Sequence, residues 1–398
     1  MPAAITRIFA EGFRIFFLFA GLYGLFAGGA WGLWLVMQTG AAPFEAAPYA
    51  MTPPTWHAHE MIFGYAAAAL GGFFLTAVPN WTGSPEARAG FITLAATLWL
   101  AGRLAMWFSA SLSPGVVAVI DLAFVPVLAA KIASQLIRRP KPQNMVFLAL
   151  LTFIWLANLM THLEWVGATD ETLQTGLRAG LLTLCAMIAI LGGRITPAFT
   201  RNAMKRAGEP EAAWPVSAAR LDKPALGLAL ALPLSALAVG ATGLTGVLAL
   251  TLGIVQATRM ARWRAGWALR QPILIALHLG LGMLALGLVL WGSAVLGYGN
   301  EVAALHVLGI GCVGGMTLAM MSRAALGHTG RALVAPPSMA AAYGLMAAAA
   351  LLRWFGSGLD AGYLTAMLVA DGLWIAAIAL YLIAMWPALT GSRLALQP

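Results

Sequence analysis

Five of the six histidines in this 398-residue chain lie inside, or at the mouth of, segments apolar enough to cross a membrane. Two of them open one segment as Trp56-His57-Ala58-His59-Glu60, and His162, His278 and His306 lie in others. The sixth, His328, sits on a turn between Gly327 and Gly330. An imidazole at membrane depth is costly, so its presence points to function: a metal or haem ligand, or a step in a proton relay. Glu60, Asp121 and Glu164 occupy segments of the same kind. A titratable carboxyl within reach of a reacting group can carry protons. Arg103 can pair with Glu60, or hold a haem propionate through two parallel hydrogen bonds.

Spacing limits which of these can act together. On a regular helix His57 and His59 point about 200° apart, so one metal ion cannot easily take both. They serve different centres, or Pro53-Pro54 makes the helix start irregular and lets them converge. His57 and Glu60 are three apart and share a face, and a carboxylate beside a ligating imidazole fixes its tautomer and raises its basicity. His306 precedes Gly309, Gly311, Gly314 and Gly315. Such glycines admit a neighbouring helix, or a flat macrocycle, at close range. His278 with Met320 or Met321 would make a His/Met site. The expected metal ligands are His57, His59 and His306, with His162 and His278 next.

Helices must position these groups. The chain is 61% hydrophobic and 9% charged, with mean hydropathy +0.84. A soluble domain would carry about 25% charged residues. The expected class is all-α: a polytopic transmembrane bundle forming a single integral membrane domain over residues 1–398. Twelve spans are predicted at about 13–37, 56–79, 90–109, 115–138, 144–165, 175–198, 224–241, 244–262, 271–297, 301–325, 337–356 and 362–388. Pro53-Pro54, Pro140-Lys141-Pro142 and Pro336-Pro337 punctuate them.

The net charge of +9 does not indicate a nucleic-acid partner. Lys and Arg gather in alternate loops, such as Arg138-Arg139 and Lys205-Arg206, while Glu45, Asp170, Glu171 and Asp360 mark the others. This alternation predicts twelve helices with both termini cytoplasmic. Arg7 and Arg14 precede a first run long enough to remain as a helix, so no cleavable signal peptide is expected. Cys185 and Cys312 fall mid-span and read as small core residues, not as a disulfide.

That topology gives each polar residue a depth. His57, His59, Glu60, Arg103, Asp121, Asn158, His162, Glu164, His306 and Asp371 fall in the outer half. Arg194, Thr196, Thr200, His278, Met320, Met321, Arg323 and His328 fall toward the inner side, with Asn80 and Trp81. No phosphate-binding Gly loop, Cys-x-x-Cys-His or Cys-x-x-Cys is present, so any haem is held non-covalently.

The stretch Trp56-His57-Ala58-His59-Glu60-Met61-Ile62-Phe63-Gly64, continuing to Thr76-Ala77-Val78-Pro79-Asn80-Trp81-Thr82-Gly83, resembles the signature of the NnrS family. Gly193 through Asn202, His306 through Gly309 and Ser322 through Arg331 resemble it too, in order along nearly the whole chain. The resemblance implies a bacterial inner-membrane protein holding haem b and copper, linked to nitric oxide and nitrosative stress. It supplies no ligand map. On the depth argument, His57, His59, His306, His162, His278, His328, Arg103, Arg194 and Arg323 are the expected cofactor-binding residues. Glu60, Glu164 and Asp121 are the expected proton carriers of a nitric oxide reductase-like oxidoreductase, with electrons from quinol or a donor protein. Two rivals stand beside it: a haem-based nitric oxide sensor or scavenger without turnover, and a transporter of a metal or metal–nitrosyl species, whose site would lie at the midplane.

Overall fold

The computed structural model describes residues 6–40 and 47–394, so Glu45 lies outside the described residues. Among the described residues twelve helices are long and apolar enough to cross a membrane, in the order the sequence predicts. They are α1 (Gly12–Gln38), α2 (Pro53–Thr82), α3 (Ala89–Trp107), α4 (Pro114–Leu136), α5 (Pro142–Trp165), α6 (Thr172–Arg206), α7 (Ala219–Val239), α8 (Gly243–Met260), α9 (Pro272–Val295), α10 (Glu301–His328), α11 (Pro337–Gly356) and α12 (Tyr363–Thr390). The chain is a multi-pass membrane protein.

Pro53, Pro114, Pro142, Pro272 and Pro337 each open a helix. Proline costs nothing there, because the first-turn N–H has no partner to lose and the ring presets a helical φ. Pro53-Pro54 is therefore the first turn of α2, not a disruption before it. α7 begins earlier than its apolar run, at Ala219, because Asp222 is held in the helix by the Arg259 side chain, Nε to Oδ1 2.8 Å.

Two helices change their winding partway. α2 is α-helical over Pro53–His59, wider π-helical over Glu60–Tyr65 and α-helical again from Ala66. α10 is α-helical over Glu301–His306, π-helical over Val307–Gly314 and α-helical from Gly315. A π turn inserts one residue, rotates everything after it to a new face, and is frequent at functional sites. Each π segment here starts directly after a histidine.

The chain divides into two compact units. The first comprises residues 1–180, 324–332 and 378–398, and the second 181–323 and 333–377. In the first unit Arg14 is buried, and its Nη1 donates to the carbonyls of Ala388, Leu389 and Gly391 at 2.8–3.1 Å. This satisfies carbonyls at the end of α12 that have no partner within the helix. In the second unit Asn300 caps α10, its Oδ1 accepting from Ala303 N at 2.9 Å.

Candidate metal centre

The first unit gathers polar side chains from five helices at one end, where α2 and α4 begin and α3 and α5 finish. His59 and Glu60 come from α2, Arg103 from α3, Asp121 from α4, Asn158 and His162 from α5, and Tyr23 from α1. His59 and Glu60 are fully buried, and Arg103, Asp121, Asn158 and His162 are at most 4% exposed.

Local structure aims each of them. Neighbours on a regular α-helix point about 100° apart. Yet His59 Nδ1 and Glu60 Oε1 are 2.8 Å apart, at the junction where α2 widens into its π segment. α4 is interrupted at Ala123, two residues after Asp121, because Pro126 has no N–H for the Leu122 carbonyl. Trp155 Nε1 of α5 donates to that carbonyl instead, at 3.1 Å. The proline thus bends α4 beside Asp121 and the tryptophan fixes the bend.

Two glycines make room. A Cβ at Gly102 would lie 3.1 Å from Asp121 Oδ1 and 3.3 Å from its Cα, so α3 and α4 can approach there only because position 102 lacks one. A Cβ at Gly64 would lie 2.7 Å from the Tyr23 ring, 2.9 Å from Arg103 Nη1 and 3.2 Å from Glu60 Oε2.

The hydrogen bonds form one network. Arg103 bridges the two carboxylates, Nη1 donating to Glu60 Oε1 at 2.6 Å and Nη2 to Asp121 Oδ1. Tyr23 donates its hydroxyl to Glu60 Oε2. Asn158 Nδ2 donates to Asp121 Oδ2 at 2.8 Å, and its Oδ1 faces His59 Nε2 at 2.9 Å. His162 Nε2 lies 2.9 Å from Asp121 Oδ2. The tautomers follow from these partners. His59 Nε2 and His162 Nε2 each carry a hydrogen, donated to Asn158 Oδ1 and Asp121 Oδ2. One further proton must then lie between His59 Nδ1 and Glu60 Oε1, since both are otherwise acceptors.

Within this network His59, Asp121 and His162 each offer one ligand atom, and these atoms all lie within 4.8 Å of one another. Two imidazoles and a carboxylate suit first-row transition ions. The donor set fits such an ion on two further counts. A metal held by the other ring nitrogen of His59 would find Nδ1 and its proton already aimed at Glu60, the carboxylate–histidine–metal arrangement. Charge fits as well. With Glu60 and Asp121 ionised and Arg103 charged, one unit of negative charge is left over in a medium where net charge is costly. A monovalent cation or a proton balances it.

A family model described as NnrS protein matches residues 7–393. The chain belongs to the NnrS family. Membership makes it a nitric-oxide-linked membrane protein. No curated protein matches it.

In this NnrS-family chain the remaining sequence candidates lie outside the network. His57 is half-buried and its ring stacks on Trp31, centroids 4.4 Å apart and planes 22° apart. Trp31 in turn stacks on Trp34 at 4.7 Å. That is the setting of an interfacial aromatic belt. Glu164 accepts from Leu173 N at 2.7 Å and so serves the start of α6. His328 packs beside Phe13, ring centroids 5.7 Å apart. In the second unit His306 is half-buried with Nδ1 2.7 Å from Val302 O, one turn back. There Arg194 is exposed at the surface of α6, and His278 is buried. Cys185 and Cys312 are both free and buried.

Tyr23 and the two glycines were not singled out from the sequence. A lone tyrosine among phenylalanines and leucines in α1 was the available signal for the first. The glycines carry no chemistry of their own and are recognisable only from what fills the space they leave.

Proposed function

We propose that this protein is a haem b- and copper-containing bacterial inner-membrane protein, with both termini cytoplasmic, that binds nitric oxide and reduces it. One observation supports the reading above the others: in a chain of the NnrS family, two imidazoles and a carboxylate converge in a fully buried site at one end of a helical unit. His59, Asp121 and His162 would hold the copper ion. When bound, that ion supplies an electron-accepting centre for a small neutral ligand. Nitric oxide is apolar and reaches such a site through lipid, so the burial of the network is no obstacle to it.

The chain's own residues supply the rest. Glu60 orients His59 and holds a proton at Oε1. Arg103 holds both carboxylates in place, and Tyr23 fixes the second oxygen of Glu60. Reduction of two nitric oxide molecules to nitrous oxide consumes two protons and two electrons. Glu60 is the group within reach of the metal site that can hand protons on; Asp121 serves as a ligand, and Glu164, engaged at the start of α6, is the more distant candidate. Electrons would come from quinol or a donor protein.

The test combines metal analysis with a reduced-minus-oxidised visible spectrum of the purified protein, followed by nitric oxide addition and nitrous oxide measurement. Copper near one per chain, a b-type haem spectrum that moves with nitric oxide, and nitrous oxide formation are expected. Binding without nitrous oxide would leave a sensor or scavenger. Protein free of both metals after growth with ample haem and copper would defeat the reading.

A second reading is favoured by the completeness of the network. Its donors and acceptors are nearly all satisfied by protein alone, so it can stand as a proton-holding polar clamp between helices, with haem elsewhere as the only redox group. Copper content of the His59→Ala variant separates the two.

A further inference from the structure

The second unit contains a buried polar group that differs in kind from the network above. His278 of α9 is 3% exposed. Its Nε2 lies 3.1 Å from Thr200 Oγ1 of α6. Thr200 spends its only hydrogen on the Thr196 carbonyl at 2.9 Å, so His278 Nε2–H is the donor and Thr200 the acceptor. The lone pair on His278 Nδ1 then faces no donor among the described residues, although the atom is buried. Thr196 Oγ1, one turn from Thr200 and fully buried, also has no partner there. Buried polar atoms are rarely left so, and each one asks for an explanation.

Beside them lies a cation without an anion. The guanidinium of Arg323 in α10 lies 4.0 Å from the ring centroid of Phe199, the residue next to Thr200. It has no hydrogen-bond or ion-pair partner among the described residues, and Arg206 is close enough for its charge to act on it. Two arginines, no carboxylate, an aromatic face and an imidazole with a free lone pair occupy one end of α6, α9 and α10. A ligand completing this set needs a metal to accept the imidazole, a flat apolar body and carboxylates for the guanidinium groups.

We infer that His278 is an axial ligand of the haem, with Arg323 and Arg206 pairing its propionates. This rests on the haem part of the proposed function and is independent of the metal site at His59, Asp121 and His162. Thr200 orients the imidazole as an outer partner, the role that hydrogen-bonded neighbours of ligating histidines commonly play.

The experiment uses full-length protein purified in detergent with haem supplied during growth. Wild type should show a b-type Soret band. His278→Ala should lose most of that band while its helical circular dichroism and elution volume stay unchanged, and added imidazole should restore it. Arg323→Gln should keep the band but release haem to apomyoglobin with an affinity about 10-fold weaker. His278→Met, which keeps a ligand, decides the matter should the alanine variant not fold: a moved spectrum supports the assignment and an unaltered one overturns it. A full Soret band in folded His278→Ala also overturns the assignment while leaving the haem reading intact. Wild type without haem would defeat the haem reading itself, a result distinct from the others.

Discussion

The two polar groups of this protein handle the cost of burial in opposite ways. Around Asp121 nearly every donor meets an acceptor: Arg103, Asn158 and His162 all converge on one carboxylate. Around His278 the accounting is unfinished: Nδ1 and Thr196 Oγ1 lack hydrogen-bond partners among the described residues, and the Arg323 guanidinium lies over the Phe199 ring. A saturated network can hold its helices together by itself and admits an ion only by exchanging protons for it. An unsaturated group gains from a ligand that brings its own donors and charges. The first should therefore fail as structure when broken. The second should fail as a binding site and leave the fold standing.

Arg103→Leu should have the largest effect. It leaves Glu60 and Asp121 facing each other without their cation in a low-dielectric setting, and losing one partner of a buried ion pair costs about 3–5 kcal/mol. Thermal unfolding in detergent would show it, and Asp121→Asn in the same chain should recover part of the loss. If Arg103→Leu unfolds at the wild-type temperature, the network is not the structural clamp described. Gly64→Ala comes next: its methyl meets the Tyr23 ring and the Arg103 guanidinium, and overpacking of this kind costs about 1–3 kcal/mol.

His59→Ala and His162→Ala sharpen the comparison from the metal side. Each should lower copper per chain in elemental analysis, while the haem spectrum assigned to His278 persists. Loss of both metals together from either variant would merge the two groups into one centre. Tyr23→Phe removes a single hydrogen bond to Glu60, worth about 1–3 kcal/mol for a charged acceptor, and should retain copper. The smallest effect belongs to His57→Ala. It should leave copper and haem unchanged and alter only the fluorescence of Trp31, on which the imidazole stacks. Copper loss in that variant would return His57 to the ligand set.

Much of the architecture was readable from hydropathy alone. A bilayer-crossing segment must satisfy its backbone internally, so apolar runs of about 20 residues translate directly into helices. The loop charges then sorted polar residues by depth. His59, Glu60, Arg103, Asp121, Asn158 and His162, assigned to one level, are joined in one network. Depth is a one-dimensional quantity, however, and it could not say which residues on that level face one another. His57 and Glu164 share the level but turn to Trp31 and to the start of α6.

The sequence by itself determined the class of the protein, the number and order of its spans and its family motif, because each depends on local hydrophobicity or on residue identity. The tertiary structure decided the partners. Which histidine meets Asp121 depends on the rotation of each helix about its axis, and that rotation is set by long-range features: the π segment after His59, the Pro126 break fixed by Trp155, and the close approaches at Gly64 and Gly102. His59 Nδ1 and Glu60 Oε1 meet at 2.8 Å where the π segment begins, and no rule of composition or spacing contains that contact.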